Sequence, residues 1–365
     1  MQITDHSLDR RHFIQSLAVT GAGLASSLLS TAQGQPSDAA RRKIKLGLDN
    51  FAVRDMKWKA PQLIDYAAAL KTDTLFITDF SPFENFEDKT LKDLRAQAED
   101  KGLQIQLGSW SICPTSKSFK KDWGTAEEYL TLGLRMAKAL GSAVFRVVLG
   151  SGEDRKTDGG IEARIEDTVK VCKACRNRAV DAGVKIAVEN HAGDMQAWEL
   201  VTLIEAAGKD YVGANMDSGN ATWTMEDPLA SLEILAPYVI TTSLRDSAIW
   251  ESENGATVQW TAMGDGTVDQ KAYMEKFAAL CPGVPVHIET ISGFNRELPY
   301  FKEDFWKVWP KARARDFARF VALAKKGKPR DARRRGDAKA EQDYQKSEIE
   351  RSIKYCKETL GLGLK

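Results

Sequence analysis

Short apolar runs alternate with longer amphipathic stretches along most of this chain. The short runs read as strands at 44–49 (IKLGLD), 73–78 (DTLFIT), 103–108 (LQIQLG), 143–149 (AVFRVVL), 184–189 (VKIAVE), 211–217 (YVGANMD), 238–244 (YVITTSL) and 284–289 (VPVHIE). Helices are predicted between them, over 60–70, 88–101, 124–140, 158–182, 194–207, 227–236, 267–280 and 302–326. In 124–140 the apolar positions Tyr129, Leu132 and Met136 fall on one face of a helix of 3.6-residue period, with Leu134 off that stripe. Gly102, Gly141 and Gly183 supply helix stops. Eight strand–helix pairs in about 280 residues have the size and rhythm of a (β/α)8 TIM barrel. The count of eight and the lack of a Gly-x-Gly-x-x-Gly turn disfavour an open doubly wound sheet.

The barrel is expected over residues 44–327. After it come a solvated basic linker, beginning "KKGKPRDARRRG" at 325–336, and a charged helix of about 337–360; together, 328–365 form a C-terminal helical extension. That helix could pack on the barrel or on a second subunit, so a homo-oligomer is compatible with the sequence. At the other end, Arg10-Arg11, then Phe13-Ile14, an apolar run rich in Gly, Ala and Ser, and Ser30-Thr31-Ala32 resemble a twin-arginine export signal over residues 1–32. Residues 33–43 form a linker to the barrel. The apolar run is too short and too rich in Gly and Ser for a membrane span. The expected location is therefore the periplasm or another exported compartment.

The 365 residues carry a net charge of +1, which gives no reason to expect a nucleic-acid partner. Five scattered cysteines do not make a disulfide framework, and Cys172 with Cys175 supplies two of the four ligands a structural zinc needs.

Candidate chemistry sits at the strand ends, where such barrels carry their sites. Strand five ends on Glu189, strand six on Asp217 and strand eight on Glu289, and alternation points all three at the barrel axis. At ~6 Å and an effective dielectric near 20, each like-charged pair costs about 3 kcal/mol. Either the carboxyl pKa values rise or a cation neutralises them. A divalent ion would do so, with Mn²⁺ or Mg²⁺ suiting an oxygen-rich set and Co²⁺ or Zn²⁺ suiting one with an added imidazole. His191 lines the same mouth. His287 lies one layer deeper and reads as a hydrogen-bonded barrel histidine. Trp110, after strand three, and Trp223, Trp250 and Trp260, in predicted loops, suit stacking on a sugar. Arg146, among apolar neighbours on strand four, needs a partner: either a substrate oxygen or a barrel carboxylate.

"VENHAG", "MDSGN", "SLRDS", "MGDGTVD" and "HIET", in this order and spacing, resemble the xylose isomerase-like TIM barrels of the sugar phosphate isomerase/epimerase family. The resemblance covers about residues 44–327. It implies a metal held by Glu, Asp, His and Glu, with Glu189, Asp217 and Glu289 matching three of these. The strand-seven motif, which resembles His-x-Lys-Asp in the family, reads Ser243-Leu244-Arg245-Asp246 here, which puts a hydroxyl at the imidazole position. The resemblance further implies a sugar isomerase or epimerase, in which Glu189 and Glu289 act as an acid–base pair on a metal-stabilised enediolate. Trp110, Arg146, His191, Asn220, Arg245 and Asp246 are the expected contacts to a sugar or keto-sugar.

Two other readings use the same residues. A 3-keto-glycoside lyase or keto-inositol dehydratase would expel a leaving group from the enolate. A non-catalytic sugar-binding barrel would follow if loss of the strand-seven histidine had ended the chemistry. A histidine-rich nuclease of the same fold does not fit, since only His191 and His287 lie beyond the export signal.

Overall fold

The computed structural model describes residue 41 and residues 43–365. The export signal at 1–32 lies outside the described residues. Eight strands form one parallel sheet: β1 (Leu46–Asp49), β2 (Thr74–Ile77), β3 (Gln104–Ser111), β4 (Val144–Val148), β5 (Lys185–Glu189), β6 (Val212–Met216), β7 (Val239–Thr242) and β10 (Val286–Ile288). Their order is β10-β1-β2-β3-β4-β5-β6-β7. Leu244, just beyond β7, closes the ring by pairing in parallel with Ile288: its N–H donates to the His287 carbonyl at 2.7 Å, and Glu289 N–H donates to the Leu244 carbonyl at 2.9 Å. Every expected barrel strand is present.

Helices α1 (Ala60–Ala69), α2 (Asp88–Asp100), α3 (Ala126–Leu140), α4 (Gly160–Ala174), α5 (Arg176–Ala182), α6 (Ala197–Ala207), α7 (Ser218–Trp223), α8 (Pro228–Leu235) and α9 (Gln270–Leu280) follow the strands. α3 shows why the pattern folds this way. Thr125 and Glu128 form a capping box at its start, and Gly141 ends it at φ 73°. Its inner face buries Tyr129, Leu130, Leu134 and Ala137. The helix expected over 158–182 is two, because the chain breaks at Cys175 between α4 and α5. Cys172 and Cys175 are buried free thiols.

Two departures reshape the expected boundaries. The segment after β7, expected as loop, is an antiparallel hairpin of β8 (Asp246–Ser252) and β9 (Gly255–Thr261), joined on the β9 side by β11 (Asn295–Leu298). The second half of the helix expected at 302–326, α10 (Ala314–Ala324), packs on this small sheet. Ile249, Val258, Trp260, Phe320 and Leu323 form a second core there, separate from that of the barrel. Trp250 and Trp260 therefore stand on strands and Trp223 in α7, not in loops. The eighth helix of the barrel wall is instead α11 (Ala338–Glu358). Ile349, Ile353 and Cys356 join the barrel core. Its 21 residues span about 30 Å. At the mouth, Gln345 accepts the Asp55 N–H at 3.0 Å. At the floor, Gly363 N–H donates to the Ile44 carbonyl and Leu364 N–H to Asp73, both at 2.9 Å. The C-terminal segment is thus part of the barrel wall. Among the described residues no helix is long and apolar enough to cross a membrane.

Candidate active site

The strand ends converge as alternation requires. Glu189 ends β5, Asp217 caps α7 directly after β6, and Glu289 follows β10. Each offers an oxygen, and these oxygens lie within 4.8 Å of one another. All three side chains are buried. That is spacing a shared ion could use.

Two guanidiniums are inserted among these acids. Arg146 Nε donates to Glu189 Oε2 at 2.5 Å, and its Nη1 donates to the Ser109 carbonyl at 2.8 Å. Arg245 Nη2 donates to both Asp217 Oδ2 and Glu289 Oε2. Asparagine amides take up further oxygen capacity. Asn215 donates to Glu189 Oε2 at 2.7 Å; Asn220 donates to Asp217 Oδ2 at 2.7 Å and Glu189 Oε1 at 3.2 Å. Asp217 Oδ1 also accepts the N–H groups of Gly219 and Asn220. With Arg245 in place the carboxylates do not fit a divalent ion, because N–H donors occupy the oxygens such an ion needs. They could bind one after Arg245 withdrew.

Ser243, at the imidazole position, donates to Asp49 Oδ2 at 2.9 Å. Asp49, at the end of β1, is a fourth buried acid of the cluster and was not singled out in the sequence, although it ends a strand with the same inward parity. Asn215 was missed for a similar reason: it lies inside β6, two residues before Asp217 and on the same face.

The electrostatics separate the acids. Burial raises the Glu189 pKa, but the charge and hydrogen bond of Arg146 outweigh it and hold Glu189 below the usual carboxylate range. Burial pushes Glu289 and Asp217 up to about 8, against the pull of Arg245, and Asp49 up to about 6. Burial alone would lower the Arg146 and Arg245 pKa values; the surrounding acids more than reverse this, so both stay cationic. Burial lowers the pKa of His191.

Over the cluster lies a small cavity of about 140 Å³, walled by Glu289, Arg146, Arg245, Asn220, His191, Trp110, Trp223 and Trp260 among others. Glu189 and Asp217 do not line it. Glu189, expected as half of an acid–base pair facing the sugar, is covered by Arg146, Asn215 and Asn220. A larger cavity of about 800 Å³ adjoins it, sharing Trp110 and His191, and is walled by Phe80, Phe86, Lys120, Trp123 and Tyr129 among others. The larger space is therefore beside the chemistry and the smaller one is on it.

Trp260 and Trp223 stack at 3.9 Å between centroids, with 10° between their planes. Arg245 Cζ sits 4.3 Å from the Trp260 ring centre, and Arg296 Cζ sits 3.9 Å from that of Trp223. The indole N–H of Trp260 donates to the Gly219 carbonyl at 2.9 Å. Half-buried His191 is oriented by a 2.6 Å hydrogen bond between Nδ1 and the Gly150 carbonyl. Asp246, expected to touch substrate, instead accepts the N–H groups of Ser247, Gly264 and Gly266, because it holds the loop after β9. His287 is buried one layer down, with Nδ1 3.1 Å from the Thr242 carbonyl, as expected of a barrel histidine.

A closed parallel barrel with acids and guanidiniums at the C-terminal strand ends defines an α/β barrel of enzyme type. Residues 63–313 match the Xylose isomerase-like TIM barrel family, and the chain belongs to it. A curated relative, the 3-oxo-isoapionate decarboxylase of Pectobacterium atrosepticum, is 22% identical over 198 residues, 54% of this chain. The chain spans 64% of that relative's length. The D-psicose 3-epimerase of Clostridium cellulolyticum H10, solved with D-tagatose, shares the fold at TM-score 0.53 and 15% identity, covering 84% of this chain and 99% of that one. The IolI protein, solved with a zinc atom, does so at TM-score 0.53 and 16% identity, covering 79% and 100%.

Proposed function

We propose that this chain is an exported carbohydrate enzyme that removes a proton from the carbon beside a sugar carbonyl and returns it, as an isomerase or epimerase. One observation carries the reading: Glu289 is a carboxylate that reaches a cavity walled by tryptophans and by two guanidiniums. Glu289 takes the proton, and the electron pair moves onto the carbonyl oxygen. Arg146 and Arg245, both facing the cavity, stabilise the charge on that oxygen. Return of the proton by Glu289 to the former carbonyl carbon gives isomerisation when the adjacent hydroxyl gives up its proton to the former carbonyl oxygen, so that the carbonyl re-forms one carbon along. Return to the other face of the same carbon needs a second donor, and His191 is a titratable group in the same wall. Glu189 acts through Arg146, fixing its guanidinium. The epimerase among the fold neighbours and the decarboxylase among the relatives support a carbohydrate-directed reading.

The adjoining 800 Å³ cavity favours a second reading, β-elimination from a 3-keto-glycoside. The reacting ring would sit over Glu289 and the departing group would lie beyond Trp110. Deuterium exchange from heavy water across a panel of ketoses and 3-keto-glycosides tests both. Exchange without fragmentation supports isomerisation or epimerisation, and exchange with fragmentation supports elimination. If no substrate exchanges while Glu289→Gln binds sugar like the parent, the barrel binds sugar without catalysis. Export by the twin-arginine route predicts that Arg10→Lys with Arg11→Lys holds the protein in the cytoplasm, as read by cell fractionation.

A further inference from the structure

We propose that the guanidinium of Arg245 is the resident cation of this site, filling the role that a divalent ion shared by Glu189, Asp217 and Glu289 would otherwise fill. The inference deepens the proton-transfer reading and rests on it for its catalytic meaning, but the position of the guanidinium stands on geometry alone.

Arg245 Nη2 lies between Asp217 and Glu289 and donates to both. The surroundings are shaped around it. Gly219, in α7, leaves the space its stem occupies: a Cβ there would lie 2.3 Å from Arg245 Cγ and 2.5 Å from Cδ. Trp260 covers the face of the guanidinium, and Trp260 is held in turn by the Gly219 carbonyl and the Trp223 ring. A side chain that had merely collapsed into an empty ion site would not need a glycine to clear its path.

The remaining donors agree. Ser243, where an imidazole ligand would stand, is committed to Asp49. The Glu189 and Asp217 oxygens accept N–H groups from Arg146, Asn215, Asn220 and the α7 backbone, which hold these carboxylates as anions for a cation to neutralise. Arg245 Nε is buried with no hydrogen-bond partner among the described residues, and Arg245 lines the cavity over the acids. Buried N–H groups without a partner are rare in proteins. A substrate oxygen supplies one, so the guanidinium both neutralises the acids and presents a donor to the oxygen that gains charge.

The test uses the full chain and reads metal directly. The purified protein is incubated with excess Mn²⁺ or Zn²⁺, desalted, and analysed by elemental mass spectrometry, with Mn²⁺ titrations followed by electron paramagnetic resonance. The parent protein is expected to hold a metal in fewer than about one chain in ten. Arg245→Met, which keeps the stem and removes the charge, is expected to retain about one ion per chain, and Asp217→Asn added to it should abolish that uptake. Retention of one ion per chain by the parent, lost in Glu189→Gln or Asp217→Asn, would overturn the proposal. So would a folded Arg245→Met protein that takes up no ion, since the guanidinium would then not be what keeps ions out. If Arg245→Met does not fold, the metal content of the parent still decides. These readouts use no sugar, so a wrong substrate assignment leaves them standing.

Discussion

Two neighbouring layers inside the barrel solve the problem of burying polar groups in opposite ways. The layer at the strand ends sets Arg146 against Glu189 and Arg245 against Asp217 and Glu289, with Asp49 hydrogen-bonded to Ser243 beside them, so both guanidinium charges are kept and paired. The layer beneath holds His287, whose ring lies 4.9 Å from Phe76 and which burial keeps neutral, with its pKa lowered to about 3. Both layers use a glycine to admit the large polar side chain. At Gly47 a Cβ would lie 2.4 Å from His287 Cδ2, and at Gly219 it would strike Arg245. The lower layer is inert because its one titratable ring is silenced by desolvation. The upper layer is reactive because desolvation and ion pairing are balanced, leaving Glu289 shifted towards neutrality beside a fixed cation.

The largest expected effect breaks the upper layer at its open edge. Glu289→Gln should lower proton exchange by about 10²–10⁴-fold, the usual range for loss of a general base, with little change in stability. Exchange rates in heavy water and a urea titration check the two halves. A loss from Glu189→Gln larger than that from Arg146→Met would mean that the covered carboxylate acts on substrate directly and not only through Arg146.

Next comes the ion pair beneath it. Arg146→Met leaves Glu189 buried with two amides and no cation of its own, which should cost about 3–5 kcal/mol in a denaturant titration. Glu189→Leu added to Arg146→Met should recover much of that loss, since an apolar pair replaces a buried ion pair at little cost. If the single and double variants are equally unstable, packing of the Arg146 stem rather than charge holds this layer.

The lower layer is tested by acid. His287 titrates near 6.5 when unfolded and near 3 in the barrel. Its folded pKa is depressed, so protonation favours the unfolded chain. The stability it supports is complete above pH 6.5 and is lost as pH falls from 6.5 towards 3. At about 1.4 kcal/mol per pH unit the loss amounts to several kcal/mol at most. Urea midpoints at several pH values, for the parent and for His287→Gln, isolate this contribution from that of the carboxylates. The two curves should converge on acidification; parallel curves would show that the ring is already protonated in the barrel.

The sequence made the upper layer legible in part. Alternation along 184–189, 211–217 and 284–289 placed three acids on the inner face, and the structure brings them together. It could not show that Arg245, on a neighbouring strand end, would pass Gly219 to reach two of them, because parity gives a direction and not a partner. Asp49 escaped notice because it met no motif, although its strand was read correctly. The hairpin β8–β9 left a local signal: Glu253-Asn254, followed by Gly255 at the first position of β9, separates two runs of strand-forming residues, a pattern that favours a tight turn. The eighth wall helix was misplaced because 302–326 and 337–360 both look amphipathic. Only long-range contacts, such as Gln345 with Asp55, decide which one closes the barrel.

The smallest expected effect falls on Ser243, and it asks whether the upper layer still depends on the position where an imidazole would stand. Its hydroxyl gives Asp49 one of the hydrogen bonds that oppose the burial-driven rise in the Asp49 pKa. Ser243→Ala removes that donor and leaves Asp49 with the Phe51 N–H and the Thr78 hydroxyl. The cost should be about 1 kcal/mol of stability, and exchange should stay within about five-fold of the parent, the scale of one neutral hydrogen bond. A urea titration and the heavy-water assay measure both. If Ser243 took part in holding an ion, its removal would lower exchange far more than stability, and added Mn²⁺ would restore the rate. Sensitivity of that kind would move the centre of the site from Arg245 back to a metal.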